Sequence, residues 1–450
     1  MINGKAHKYS IQQPDFLMGL GALYFAHNLL DPAEEVLAQI PPESPLHVKA
    51  TILQIEIYSR KQNYQEVVHL AETLMDGTDI PTWLAQRFGI AYHFLGQTPN
   101  AKAYLLKSVE YIPENSQVVD KLRTLQPPNH LPKVEDLVAE VFKGIINPHV
   151  ALDCIAPILW GGRPVSCCFE DQLLVSAQSD NSELDQKDIY LEFASTVYQR
   201  FGIFTAFLPY IEPYAIQYGL LVKVYFSLDP SIFDRVENIK QSAWNEWERQ
   251  EEKSAHRLEY LEKEGVLLGY PTCCVEWARN RRSSQKSIET IALTELIRED
   301  YACSSGAVKV SSPELAYFAF EFYPCDPRCN AAEAVGEGIL EQYEKTGTIL
   351  AEIYWRYILP FNKTKIYYPY PTSSYNHFVQ NLNDAIVRIF KVEDFKKAHQ
   401  DYELYREGII AILEERPDLV EDPDGLSTAY EIARERLFHH LEINKEQLVN

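Results

Sequence analysis

Two short cysteine motifs contain the residues of this sequence that are best suited to chemistry. Residues 268–277 read Leu-Gly-Tyr-Pro-Thr-Cys-Cys-Val-Glu-Trp and include the adjacent pair Cys273 and Cys274. Residues 322–330 read Phe-Tyr-Pro-Cys-Asp-Pro-Arg-Cys-Asn and include Cys325 and Cys329. Each motif has a Tyr-Pro pair just before its cysteines and leads into a predicted helix. The four thiols are therefore expected near the N-termini of two helices.

Capping residues predict where these two helices begin. Thr272 is a plausible N-cap of the first helix, and Asp326 is a plausible N-cap of the second, with Pro327 at the first helical position. A helix N-terminus carries partial positive charge, which lowers the pKa of a cysteine and favours the thiolate. Because the thiolate is both the metal-binding and the nucleophilic form, two such termini brought together would make a reactive or metal-binding site.

A soft-metal site is the leading interpretation, with zinc or an iron–sulfur cluster as the cofactor. The two vicinal thiols are expected to point in different directions, so one of them is a doubtful ligand and a site with an open position is possible, as in catalytic zinc sites. Candidate catalytic groups are Glu276 for proton transfer or as a fourth ligand, Asp326 as an acid, base or outer partner, and Arg328 for an anionic substrate. The predicted metal ligands are Cys273, Cys274, Cys325 and Cys329.

Two other interpretations of the cysteines stay open. Cys325 and Cys329, one helical turn apart, could form a reversible dithiol pair. All four could instead be ordinary buried residues, because free cysteine is among the most buried residue types. The remaining cysteines are predicted to pack in the core, and they are Cys154, Cys167, Cys168 and Cys303.

The pairing of Gly-Tyr-Pro-x-Cys-Cys with a later Pro-Cys-x-x-x-Cys resembles a family of microbial proteins of unknown function. The resemblance covers about residues 230–350 and matches the four cysteines one by one. It implies a shared site at these cysteines and does not imply a particular reaction.

The N-terminal quarter of the chain is repetitive. Tyr24, Tyr58 and Tyr92 are spaced 34 residues apart, which is the tetratricopeptide period. Gly21 and Gly89 each stand three residues before a tyrosine and would let two helices approach closely. The segment resembles three tetratricopeptide repeats, over about 14–47, 48–81 and 82–115. The resemblance implies a docking groove for a peptide or protein partner, and the alternative is packing within the chain or homodimerisation.

The predicted fold is an α-solenoid of three such helix pairs followed by an α+β domain with strands early and helices late. Its predicted parts are a repeat domain over 14–125, a proline-containing linker over 126–135 and the cysteine-motif domain over 136–450. Strands are predicted at 157–160, 164–169, 203–210 and 218–226. Helices are predicted at 118–125, 189–201, 231–264, 332–358, 376–390, 394–414 and 426–442.

Composition limits the possible functions. The 64 acidic residues against 42 lysines and arginines give a net charge of −22, which argues against a nucleic-acid partner. No apolar run is long enough to span a membrane, and the start lacks a signal-peptide pattern, so a cytoplasmic location with reduced thiols is expected.

The sequence therefore predicts a cytosolic enzyme with a thiolate-rich, metal-binding site, fused to a repeat module that recruits a peptide or protein. One alternative is a scaffold in which the metal is structural or absent. The other is a thiol redox sensor.

Overall fold

The structure is a computed structural model, and it describes only part of the 450-residue chain. The described residues are 14–75, 82–143, 145–147, 150–169, 186–211, 220–248, 259–281, 292, 313–319, 322–346, 348–364, 410–421, 428–429 and 432. Helices dominate these residues, with a small three-stranded antiparallel sheet in the middle of the chain. The predicted mixture of helices and strands is confirmed, but the predicted order of strands early and helices late in the α+β part is wrong, because helices come first there and the strands lie mid-chain.

Residue contacts divide the chain into two compact units. The first reaches Pro113 and also takes in Asp185–Lys187 and Pro209–Leu221, and the second contains the remainder. Described helices of the first unit are α1 (Pro14–Ala26), α2 (Leu30–Leu37), α3 (His47–Arg60), α4 (Tyr64–Met75), α5 (Thr82–Phe94) and α6 (Thr98–Lys107). Successive helices pack against each other as the pairs α1–α2, α3–α4 and α5–α6.

The turns inside these three pairs share one backbone feature. Asn28, Gln62 and Gly96 have positive φ angles of 57°, 56° and 74°, and they are separated by 34 residues each time. Asparagine and glycine tolerate this left-handed conformation best. The three helix pairs therefore reverse direction through the same kind of turn, at positions 34 residues apart.

Close packing within the pairs depends on small residues at matching positions. A Cβ atom on Gly21 would lie 2.6 Å from Leu37 Cδ2, and one on Gly89 would lie 2.5 Å from Leu105 Cγ. In the middle pair the corresponding positions are Ile55 and Ala71, both fully buried. In the outer pairs the small residue is on the first helix and the large residue is on the second, whereas in the middle pair this order is reversed. The combined volume of the two side chains therefore stays similar in all three pairs.

The second unit begins with helices and continues through the sheet into helices again. Its elements are α7 (Asn115–Leu122), α8 (Val134–Phe142), a π-helical turn (Val150–Ile155), α9 (Ala156–Leu159), β1 (Val165–Phe169), α10 (Gln186–Phe201), β2 (Phe204–Ile211), β3 (Leu220–Ser227), α11 (Ile232–Glu248), α12 (Glu259–Leu267), α13 (Thr272–Arg281), a 3-10 turn (Pro313–Tyr317), α14 (Asn330–Thr346), α15 (Thr348–Ile353), a π-helical turn (Tyr354–Ile358) and α16 (Leu359–Thr364). A few residues of α10, β2 and β3 are assigned to the first unit. Residues 410–415 and Asp418–Glu421 are also helical.

The sheet has the strand order β1–β3–β2, and β1 runs antiparallel to β3 with Val165 opposite Ser227. Both strands bury most of their side chains, Cys167 and Cys168 among them. On β3, Lys223 and Tyr225 donate hydrogen bonds to the buried carboxylate of Glu264 on α12. The sheet therefore holds in place the helix that precedes the first cysteine motif.

Some predicted elements differ from those observed. The strand predicted at 157–160 is wrong, because Pro157 lies in the first turn of α9, where a proline is well tolerated. The helix predicted at 118–125 is observed as α7, and its residues belong to the second unit. The helix predicted at 231–264 corresponds to α11 and α12, and residues 249–258 lie outside the described part.

The predicted helices at 376–390 and most of those at 394–414 and 426–442 also fall outside the described residues. Across the portions that are described, the helices are all too short or too polar to cross a membrane.

Candidate metal centre

A glycine turn ends α12 and directs the chain into the first cysteine motif. Gly269 has a φ of +71°, and the N–H of Tyr270 donates to the carbonyl of Gly265 at 2.9 Å. This is the hydrogen bond of a Schellman motif, in which glycine supplies the left-handed residue just past the helix end. The next residue, Pro271, precedes α13, and its carbonyl accepts the N–H of Val275 at 3.0 Å.

Helices α12 and α13 pack closely because Gly265 has no side chain. A Cβ atom on Gly265 would lie only 2.6 Å from Val275 Cγ2. One residue earlier, Glu264 is buried and accepts hydrogen bonds from Tyr225 and from Lys223 Nζ, the latter at 2.6 Å. The sheet therefore holds α12, and α12 holds the helix that carries Cys273 and Cys274.

The second motif reaches its helix through a tight turn. Asp326 Oδ1 accepts the N–H of Arg328 at 2.7 Å, and the carbonyl of Asp326 accepts the N–H of Cys329 at 3.0 Å. Helix α14 begins at Asn330, and the N–H of Glu333 donates to the carbonyl of Cys329 at 2.9 Å. Cys329 is thus the N-cap residue of α14.

The predicted caps need correction at both helices. Thr272 is the first residue of α13, so the N-cap position falls on Pro271, and both cysteines lie in the first turn as predicted. Asp326 is not the N-cap of α14, because the helix begins only at Asn330; its carboxylate accepts the Arg328 N–H in the turn that precedes the helix. The consequence for Cys329 is small, since the N-cap residue faces the same free N–H groups as the first turn.

Aromatic rings connect the two motifs. The ring of Tyr270, from the first motif, lies 4.7 Å from the ring of Phe322, from the second, between centroids. Phe318 stacks on Phe322 at 4.4 Å and contacts Tyr270 at 6.0 Å. These contacts between large apolar groups bring together two segments that are far apart in sequence.

Four cysteine sulfur atoms meet where the motifs come together. Cys329 Sγ lies 3.6 Å from both Cys273 Sγ and Cys274 Sγ, which are themselves 3.9 Å apart. Cys325 completes the group, and the four sulfurs all lie within 4.8 Å of one another. These distances are far longer than a disulfide bond of about 2.05 Å, and the four thiols are free. The group could hold a metal ion.

The spacing of the Cys273, Cys274 and Cys329 sulfurs is close to that expected around a single tetrahedral ion. Zinc binds thiolates at about 2.3 Å, which places the four sulfurs of a regular tetrahedron about 3.8 Å apart. In a four-iron cluster each cysteine binds a different iron, so its sulfurs stand farther apart than the ligands of one ion. The expectation that Cys273 and Cys274 diverge is not met, because both sulfurs point to the same place.

Backbone donors and neighbouring thiols set the pKa values in the group. Burial raises the pKa of Cys274, although the N–H of Cys325 opposes this by donating to its sulfur at 3.4 Å. Burial also raises the pKa of Cys325 to about 12. Burial acts in the same direction on Cys329, but the Ala332 N–H and the surrounding thiols outweigh it and lower the pKa. Of Cys274, Cys325 and Cys329, the last is the one whose thiolate form these surroundings favour.

The predicted catalytic residues lie at the edge of this group. Glu276 is exposed on α13, and its carboxylate is not among the ligand atoms clustered within 4.8 Å. Asp326 is exposed and bonded to the Arg328 backbone, and Arg328 itself is partly buried.

The other described cysteines pack in the core. Cys154 is fully buried and donates to the carbonyl of Cys167 at 3.3 Å, and Cys168 is fully buried beside it on β1. Cys303 lies outside the described residues. Sequence reasoning missed the Gly265 contact and the buried Glu264, whose only sequence signals were a glycine and an acid on a predicted helix.

Comparison with known proteins does not extend these observations. The chain matches no protein-family model, no curated protein and no solved structure. The geometry of the cysteine group is therefore the basis for a functional assignment.

Proposed function

We propose that this protein binds one zinc ion through Cys273, Cys274, Cys325 and Cys329. The observation that carries the proposal is the sulfur spacing: Cys273, Cys274 and Cys329 lie 3.6–3.9 Å apart, close to the value for an ion about 2.3 Å from each sulfur, and Cys325 lies within 4.8 Å of all three. Four protein ligands fill the tetrahedron, which is the pattern of structural zinc sites. The ion would join the start of α13 to the start of α14.

Two features of the surroundings support this assignment. Three of the sulfurs, those of Cys273, Cys274 and Cys329, lie at the N-termini of two helices, whose partial positive charge offsets the negative charge of a tetrathiolate site. The backbone N–H of Cys325 also donates to the sulfur of Cys274, and such outer contacts orient and stabilise metal ligands. Metal binding would add to folding free energy, because the ligands come from separate segments.

Metal analysis of purified protein tests the proposal. Chain purified under reducing conditions is expected to contain one zinc per molecule, and Cys325→Ala is expected to lose it. Cys167→Ala is the matched control, because Cys167 is a buried cysteine outside the group and should not affect zinc content. Visible absorbance from iron in place of zinc would assign the site to iron, and a metal-free wild type would contradict the proposal.

A catalytic metal site is a second candidate, favoured by the exposure of Cys273 beside the buried Cys274 and Cys329. A solvent-facing ligand can leave and open a coordination position for substrate. In this enzyme Glu276 would transfer protons, while Arg328 and Asp326 would contact the substrate or the ligands. Cobalt-substituted protein distinguishes the two candidates. If Cys273→Ala keeps one cobalt per chain with a changed absorption spectrum, the site has an exchangeable position, and loss of cobalt supports the structural role.

A redox role is tested on the same material. Cys329 Sγ lies 3.6 Å from two other sulfurs, so oxidation of the metal-free protein could form a disulfide there, or the Cys325–Cys329 pair expected from the sequence. Alkylation followed by mass spectrometry, before and after mild peroxide, would identify the pair. A redox sensor should form and reverse one defined disulfide, whereas a zinc site should be protected while the ion is bound.

For the N-terminal helices we propose a tetratricopeptide-like solenoid that docks a peptide or protein partner. The 34-residue spacing of Tyr24, Tyr58 and Tyr92 supports it, together with the same spacing of the positive-φ turn residues. Contacts between successive pairs support it as well, because Tyr58 donates to Glu34 at 2.9 Å and Arg87 pairs with Glu56 at 2.9 Å. Stacked repeats of this kind present one continuous surface to a partner.

The oligomeric state separates the two uses of such a surface. Sedimentation equilibrium of the full chain is expected to give a monomer, which leaves the repeats available for a partner. A homodimer would instead assign the surface to self-association. We place the protein in the cytosol, where thiols stay reduced and able to bind metal, and imaging of the tagged full-length chain tests this location.

A further inference from the structure

The second unit contains a cavity of about 280 Å³ that the metal proposal does not use. One wall is the turn made by Gly161, Gly162 and Arg163, and the opposite wall is the face of α14 with Gly338 and Gln342. Gly269, in the turn before the first cysteine motif, also lines it. The volume is close to the lower end of the range for small-ligand sites, about 300–1,000 Å³.

Arg163 is the charged residue of this cavity, and it is only 6% exposed. Buried arginines are normally paired with an acid, because an unpaired charge is costly to bury. In the described part of the chain no carboxylate forms an ion pair with Arg163, and its guanidinium carbon lies 5.6 Å above the ring of Phe318. Asp153 is buried nearby and influences the same tyrosines as Arg163, but it bonds to Asn362 at 3.2 Å.

The rest of the lining leaves room for a ligand beside the guanidinium. A Cβ atom on Gly338 would meet nothing within 4 Å, so α14 faces open space at this point. Gly162 and Gly269 have φ angles of +74° and +71°, a conformation that glycine adopts readily. Because they have no side chains, these two turns do not fill the cavity that they line. Gln342 adds a side-chain amide that can donate and accept.

We propose that this cavity binds a small organic anion whose carboxylate or phosphate group pairs with Arg163. A guanidinium group binds both of these anions through two parallel N–H donors. The Phe318 ring covers one face of the Arg163 guanidinium, so the N–H groups along its edge stay available to a ligand. The ligand supplies the negative charge that no described carboxylate gives Arg163. The proposal is independent of zinc binding, because none of the four cysteines lines the cavity.

Isothermal titration calorimetry with sodium phosphate and with sodium acetate, at constant ionic strength, tests the proposal and distinguishes the two anion classes. The full-length wild type is expected to bind at least one of these probes saturably, with one site per chain. Gly338→Leu should weaken binding at least tenfold, because the new side chain enters open cavity space. Gly19→Leu is the matched control, since Gly19 is a helical glycine in the first unit that also has nothing within 4 Å, and it should bind as wild type does.

Arg163→Lys is a second variant, which keeps the positive charge but replaces the paired N–H donors of guanidinium by a single ammonium group. It is expected to keep the helical circular dichroism spectrum of the wild type and to lose most of the affinity. The proposal is overturned if neither probe binds the wild type saturably at millimolar concentration, or if Gly338→Leu and Gly19→Leu bind equally well. Zinc content measured on the same samples separates this result from failure of the metal site.

Discussion

Gly265 offers a quantitative test of how the first cysteine helix is held. Its added Cβ would lie 2.6 Å from Val275 Cγ2, well inside contact distance, so Gly265→Ala must push α12 and α13 apart. Overpacking of this kind costs about 1–3 kcal/mol. Replacing a helix glycine by alanine returns about 0.5–1 kcal/mol of backbone entropy. The net change in the free energy of unfolding should therefore be a loss of about 0–2.5 kcal/mol.

Gly338→Ala isolates the steric part of this change. Gly338 is also a helical glycine of the second unit, but its added Cβ would meet nothing within 4 Å, so this variant should gain about 0.5–1 kcal/mol. Urea denaturation followed by circular dichroism should show a difference of about 1–3 kcal/mol between the two variants. Equal stability of the two would refute the close α12–α13 contact.

The double variant Gly265→Ala/Val275→Ala shows whether the clash is the cause. Val275→Ala removes the two methyl groups that the new Cβ would strike, so the second substitution should cost less in the Gly265→Ala background than in the wild type. The expected coupling between the two changes is about 1–2 kcal/mol, in the range for residues in contact. Additive effects would place the strain somewhere other than Val275.

The remaining predictions concern the sheet and the N-terminal helices. Lys223→Met removes one partner of the buried pair with Glu264 and should cost about 3–5 kcal/mol, measured by urea denaturation; a loss below about 1 kcal/mol would show the pair to be solvated like a surface ion pair. Gly89→Ala should lower the thermal midpoint, and Leu105→Ala should lower it less in the Gly89→Ala background than in the wild type, because the added Cβ would lie 2.5 Å from Leu105 Cγ. Gly19→Ala is the control for that pair, and a midpoint lowered as much as in Gly89→Ala would contradict the close packing.

Local patterns in the sequence were sufficient to locate the cysteine group. The four cysteines follow Tyr-Pro pairs before predicted helices, and both helices are present, although α14 begins at Asn330 and leaves Cys325 in the chain ahead of it. The same reasoning placed the N-cap at Asp326, because a helix-capping aspartate and an aspartate that closes a turn before proline look alike in sequence. The start of α14 at Asn330 and the bond from the Glu333 N–H to the Cys329 carbonyl distinguish them.

Contacts between distant residues could not be predicted in this way. Glu264 and Lys223 are 41 positions apart, and Asn115 bonds to the backbone of Phe207 across 92 positions. Such pairs depend on the arrangement of whole elements, which no local pattern specifies. The turn residue Gln62 was missed for a different reason, because glutamine is not a usual residue at positive φ.

X-ray absorption at the zinc edge of the purified protein tests most directly the claim that these four cysteines hold one metal ion. A zinc ion bound by the four cysteines should have four sulfur neighbours at about 2.3 Å and no metal scatterer close by. The same spectrum from Cys329→Ala should be lost or should show fewer sulfurs. Nitrogen or oxygen ligands dominating the wild-type spectrum, or an unchanged spectrum from Cys329→Ala, would contradict the proposed site.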